Sequence, residues 1–208
     1  TPSTEADLLG ATTGRLLPLL LGSTGRMLNT PRSTSFESLM RQSTVLELEG
    51  ISKSNQSLVL MFLLVRLREY WATQGLSTSL RHVTVIEEAH KVMSRTPHVS
   101  DHEASGDAGA QTVDMLSDLL AEIRKYGEGL ILAEQSPTQL TDGAIKNTNL
   151  KLVLRLPAVD DRSAMAGAMN LHDERALSTL DRGQAAFFKP GFQQPKFVAL
   201  PHANLLDR

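Results

Sequence analysis

"VTVIEEAH", residues 83–90, sets a β-branched apolar run against two adjacent acids. Val, Thr, Val and Ile suit a pleated, half-buried strand better than a helix, so residues 82–87 read as a strand. Carboxylates are costly to bury, so Glu87 and Glu88 mark where that strand leaves its sheet. In open α/β sheets ligands gather beyond the carboxyl ends of the strands. The pair therefore stands at a place where chemistry is common. A strand that simply ends in solvated acids is the plain alternative.

Working outward, strand-like and helix-like segments alternate, which predicts an α/β fold with a mostly parallel sheet flanked by helices. "STVLELEG" (43–50), "GLILAE" (129–134) and "LKLVLRLP" (150–157) read as further strands. Residues 54–74 read as a helix, capped by Ser54 or Asn55, stopped by Gly75, and apolar on all sides, hence buried against a sheet. Residues 4–21 are helix-prone despite Gly10, Gly14 and Pro18, and 22–35 are loop-like. Ser33 caps a short helix within 33–40. Residues 94–109 form a polar excursion, and 110–126 an amphipathic helix with Val113, Leu116, Leu120 and Ile123 on one face, closed by Gly127. "DDRSAMAGAMN" (160–170) and "HDERALSTL" (172–180) read as short helices, and 183–191 with 195–200 as a terminal edge hairpin.

The 208 residues, 41% of them hydrophobic, suffice for a core in a single domain. Its parts are a helical lead-in (1–42), a core (43–190) and an edge strand with a tail (191–208). A net charge of −2 gives no global pull toward nucleic acid. The absence of cysteine excludes disulfides and thiolate metal sites, and suits a cytoplasmic location. The longest apolar stretch, "SLVLMFLLV" (57–65), falls short of the ~18–20 residues of a membrane span. The chain starts at Thr1 rather than Met, which suits a piece of a longer protein.

An apolar strand closed by two acids has the layout of a Walker B element. There the first acid, Glu87, holds Mg²⁺ beside nucleotide phosphates, and the second, Glu88, orients the attacking water. Alternation along the strand points the two carboxylates different ways. His90 can reach either the phosphate region or a neighbouring loop. A zinc-protease reading wants His-Glu-x-x-His on a helix, and only one histidine stands here. Gln135 ends the next strand at the same sheet edge, where an amide can bond both water and terminal phosphate; a loop glutamine is the alternative. Arg124 falls in the last turn of its helix, either complementing the macrodipole or reaching into a neighbouring subunit as an arginine finger.

The order "VIEEAH", "RKYGEGLILAEQSP", "IKNTNLKLVLRLP" resembles the HerA/FtsK superfamily of P-loop motor ATPases, in its HerA-like branch, over about residues 43–190. The resemblance implies a RecA-like P-loop NTPase core, ATP and Mg²⁺ as cofactors, a homo-oligomeric ring (usually hexameric), and translocation on double-stranded DNA. It also implies roles for particular residues. Glu87 becomes the metal-side acid, Glu88 the catalytic acid, Gln135 the sensor, Arg124 the trans finger and Arg155 a second contributor. A nuclease or other effector partner is compatible with it.

Two departures stand out. The first Walker B acid is usually Asp, not Glu. No Gly-x-x-x-x-Gly-Lys-Ser/Thr occurs: "GATTGR" (10–15), "GSTGR" (22–26) and "GISKS" (50–54) each lack part of it. The chain is thus either the C-terminal portion of a motor whose phosphate loop lies upstream, inactive alone, or a degenerate assembly module. A conjugation- or secretion-type motor of the same superfamily is a further alternative. His98, Asp101, His102 and Glu103 are metal-capable residues in what reads as a solvated loop. Arg26, Arg32 and Arg41 can touch DNA phosphates or simply decorate a surface. The aromatics of 187–195 read as edge-strand packing.

Overall fold

The computed structural model describes residues 2–31, 34–93 and 122–201. The polar excursion 94–109, most of the helix expected over 110–126, Arg32 and Ser33 lie outside them. Contacts divide the chain into two compact units: residues up to His82 with Lys125–Glu128, and Val83–Arg124 with Gly129 onward.

Two helices open the first unit, α1 (Pro2–Leu20) and α2 (Gly22–Leu28). The second corrects the expected loop at 22–35: Gly22 takes a left-handed φ of 62° at the junction and a new helix begins there. Helix α3 (Phe36–Arg41) is short. The strand expected at 43–50 does not form. Val45 and Leu46 are exposed, and no strand is paired with this segment among the described residues. A β-prone sequence without a ladder partner leaves its backbone donors to water.

Helix α4 (Lys53–Thr73) falls where expected, with its N-cap at Ser52 and left-handed Gly75 just beyond its end. Its burial is one-sided rather than all-round: Leu64, Leu67 and Trp71, at i, i+3 and i+7, are buried, while Phe62 is exposed. Each buried side chain of this size contributes roughly 1.5–3 kcal/mol. The Arg81 guanidinium donates to the carbonyls of Gln74 and Gly75, satisfying acceptors that the helix end leaves open.

Strands β1 (His82–Glu87) and β2 (Glu128–Ala133) pair. The Arg81 N–H donates to Gly127 O at 2.8 Å, and the Ala89 N–H to Ala133 O at 3.3 Å. Both chains advance together, so the pair is parallel. The parallel part of this α/β fold is small. Gly127 closes the turn Arg124–Tyr126 with a φ of 85°, the left-handed stop expected for it.

The second unit continues through α5 (His90–Met93), α6 (Asp142–Asn147), β3 (Lys151–Val153), α7 (Val159–Met169), β4 (Gln184–Phe188) and β5 (Lys196–Ala199). Strands β3, β4 and β5 form an antiparallel sheet, with Val153 opposite Ala186 and Phe187 opposite Lys196. The terminal hairpin is as expected. The strand of 150–157 is shorter, and the helix of 172–180 contracts to a single turn, Glu174–Leu177. Met165 and Met169 of α7 pack with Val153, Leu156, Leu177, Leu180 and Ala186 into one apolar cluster, against which Phe188 rests. Phe187 and Phe192 meet edge to face at 6.0 Å, as edge-strand packing requires.

Two glycines separate backbone strain from steric conflict. At Gly127 a Cβ would lie 2.5 Å from Ser79 O, whereas at Gly75 (φ 75°) it would meet nothing within 4 Å. Gly75→Ala is expected to cost only the left-handed penalty of about 1–2 kcal/mol. Gly127→Ala should cost distinctly more, read as a larger drop in the urea midpoint at unchanged m-value.

Candidate functional site

The parallel pair delivers its two strand ends side by side. At the end of β1, Glu87 is exposed and Ile86 buried, so alternation sends successive side chains to opposite faces. The chain then turns at Glu88, whose φ of 54° is left-handed. A non-glycine residue there is uncommon and strained, and such residues cluster at functional sites. The Ala89 N–H still pairs with Ala133 O, the Lys91 N–H returns to Glu88 O at 2.9 Å, and α5 begins. The turn thus lifts the Glu88 side chain, 41% exposed, above the sheet edge.

At the end of β2, Gln135 is exposed and its Nε2 donates to Glu88 Oε1 at 3.2 Å. The two side chains that sequence reasoning placed at one rim do meet. On the other side of Glu88, His90 Nε2 stands 3.8 Å from Oε2. Of the two roles open to His90, the structure displays the loop contact: its Nδ1 lies 2.8 Å from Glu134 Oε2.

Glu134 escaped the sequence reading. Its side chain is 6% exposed and accepts four hydrogen bonds. Oε2 takes the His90 backbone N–H (2.9 Å) and His90 Nδ1 (2.8 Å). Oε1 takes the backbone N–H groups of Gln135 (2.8 Å) and Ser136 (3.1 Å). Burial pushes its pKa up, but the His90, Ser136 and Gln135 donors outweigh that and hold it below the ordinary value of 4.5. The available signal was an acid one residue before Gln135, as Glu87 stands one residue before Glu88. Using it required knowing that β1 and β2 are neighbours.

The loop after Gln135 is anchored in turn. Asp161, buried in the first turn of α7, accepts from the Thr138 N–H (3.0 Å) and hydroxyl (2.8 Å). The Thr141 N–H bonds Met93 O at 2.9 Å, and the Thr141 hydroxyl caps α6 through the Ala144 N–H. Arg124 and Arg155 are exposed and are not hydrogen-bonded to Glu88 or Gln135. Arg41 is paired with Glu37 on the surface. The four metal-capable residues of 98–103 lie outside the described residues.

Mg²⁺ characteristically takes one or two carboxylates plus phosphate oxygens and water. The exposed carboxylate of Glu87 fits that kind of donor, although no group of three metal-capable side chains gathers among the described residues. The sequence contains no phosphate-cradling loop.

No protein-family model matches the chain. It is 29% identical over 121 residues to the DNA double-strand break repair helicase HerA of Sulfolobus acidocaldarius, covering 57% of this chain and 22% of that protein. To its counterpart in Sulfurisphaera tokodaii it is 26% identical over the same length and shares. The chain thus spans about a fifth of the length of these relatives. Among solved structures, the genome packaging NTPase of Sulfolobus turreted icosahedral virus 2 bound to ATP-gammaS superposes with a TM-score of 0.56 at 15% identity, over 82% of this chain and 73% of that one. VirB4 of Thermoanaerobacter pseudethanolicus gives 0.53 at 20% identity, over 76% and 40%. The HerA/FtsK resemblance and the P-loop NTPase fold are borne out together.

Glu134 gives a signed pH prediction. Its folded pKa lies below 4.5, so its contribution is complete at neutral pH and is lost as pH falls below 4.5 through the folded value. Stability in urea should decline over that acid range. The decline should be shallower in Glu134→Gln, which has no carboxyl group to titrate.

Proposed function

We propose that this chain, a segment of HerA/FtsK type, is the C-terminal portion of an ATP-hydrolysing DNA-translocating motor, completed by a phosphate-binding loop supplied upstream. The observation that carries the reading is the 3.2 Å contact between Glu88 and Gln135 at adjoining strand ends. Carboxylate and amide together can hold a water molecule between them and a terminal phosphate. When bound, Mg²⁺ with ATP supplies charge neutralisation on the phosphates. Glu87 would hold the metal through water. Glu88 would orient the attacking water and accept its proton, and Gln135 would bond the same water and report on the terminal phosphate. His90 borders this space through Glu88, its Nε2 3.8 Å from Oε2.

Arg124, exposed at the start of the turn Arg124–Tyr126, is suited to a neighbouring subunit's site, and Arg155, exposed just past β3, to a second such contact. Such groups stabilise charge in the transferring phosphoryl group. On this reading the chain works in a homo-oligomeric ring, of six subunits by the family resemblance, acting on double-stranded DNA in the cytoplasm with room for an effector partner. Among the described residues no helix is long and apolar enough to cross a membrane. The second reading, a non-catalytic assembly module, draws on the missing phosphate loop.

In a protein joining this segment to a phosphate loop, Glu88→Gln should retain ATP binding and lower turnover by about a hundredfold or more. Full turnover in that variant would favour the assembly module. Arg124→Ala should also lose activity, and mixing it with Glu88→Gln subunits should restore part of it, because each supplies what the other lacks. Failure to restore would count against the trans role.

A further inference from the structure

The carboxylate of Glu134 gathers donors from two separate places, His90 and Gln135–Ser136. A carboxylate offers about four lone-pair sites, and here all four are taken by the bonds already described. An ionised carboxylate only accepts, and Glu134 is ionised at neutral pH. His90 Nδ1 must therefore carry a proton, which fixes the ring's orientation and turns Nε2 toward Glu88 Oε2, 3.8 Å away. Glu88 occupies a left-handed turn without glycine's freedom, and its partner Gln135 lies on an exposed loop. Both need an external restraint. The bonds to Glu134 fall two residues after Glu88 and on the backbone of Gln135 itself.

We propose that Glu134 is a positioning residue: by clamping the His90 and Gln135–Ser136 backbones to one buried carboxylate, it holds Glu88 and Gln135 together and sets the imidazole of His90 beside them. The inference rests on the reading of Glu88 as the water-orienting acid. Glu134 touches no reacting atom. It acts through His90 and through the backbone, as the orienting acid does in a carboxylate–histidine pair. Neither an apolar residue nor an amide reproduces this, because an amide presents two donors where the carboxylate presents two acceptors.

The test begins on the ¹⁵N-labelled full chain, without nucleotide. Wild type should display a hydrogen-bonded Nδ1–H on His90, with protected amides at His90, Gln135 and Ser136. In Glu134→Gln, which keeps the side-chain size but only one acceptor oxygen, either the His90 Nδ1–H bond should be lost or amide exchange at Gln135 and Ser136 should accelerate about tenfold or more. Cooperative unfolding should persist. Glu134→Ala should release both ends. Glu88→Gln should leave the His90 signature intact, since Glu134 rather than Glu88 holds that ring. In the loop-bearing protein, Glu134→Gln should lower kcat by up to about a hundredfold through misplacement, with KM for ATP little changed. An unaltered Nδ1–H signal and unaltered exchange in Glu134→Gln overturn the proposal, as does wild-type kcat in that variant where Glu88→Gln abolishes turnover. Full turnover in Glu88→Gln instead sinks the reading of Glu88, a failure distinguishable because the His90 signature is measured independently of hydrolysis.

Discussion

One buried carboxylate governs the geometry at the rim of the parallel pair. Glu134 sits where β2 ends, and its two oxygens receive four donors from His90, Gln135 and Ser136. Buried charge is tolerated only when hydrogen-bonded on all sides, and half-satisfying it is worse than removing it. The constraint therefore runs both ways. The carboxylate requires its four donors, and the donors fix the backbone from which Glu88 and Gln135 project.

The same chemistry recurs where the two strands begin. His82 opens β1 and Glu128 opens β2, with His82 Nδ1 2.8 Å from Glu128 Oε2. The Glu128 side chain is fully buried there, and the His82 ring rests 5.9 Å from Trp71. A histidine–glutamate bond thus stands at the start of the two strands, His82 to Glu128, and another just past their ends, His90 to Glu134. Two strands alone are marginal in water. Charge-assisted ties, each worth roughly 1.5–3 kcal/mol, supply register where the ladder is too short to supply it. They also resist slippage, since a shift by one residue would strand a buried carboxylate.

Much of this was legible in the chain. Period-two alternation identified β1 to the residue, and the apolar run of 129–134 located β2 to within one. The positive φ of Gly75 and Gly127 follows from their places just past helical segments. Residues 43–50 misled, because β propensity reports what fits a pleated surface and cannot supply a partner strand. Residues 22–28 misled in the other direction. Small polar residues there suit a loop as well as a helix, and only the kink at Gly22 distinguishes the two. Gln135 was legible as a strand-end amide, whereas Glu134 was passed over as one more acid beside it.

By itself the sequence determined the α/β class, the positions of the acids at the end of β1, and the resemblance to HerA/FtsK-type ATPases. Those are properties of short windows, in which periodicity and residue type act locally. The tertiary structure alone decided that Glu88 meets Gln135, 47 residues on, and that Glu134 bonds the ring of His90. The reason is pairing. A hydrogen bond between strand ends depends on which strands lie together and in what register, and that follows from the packing of the whole unit rather than from any window of residues.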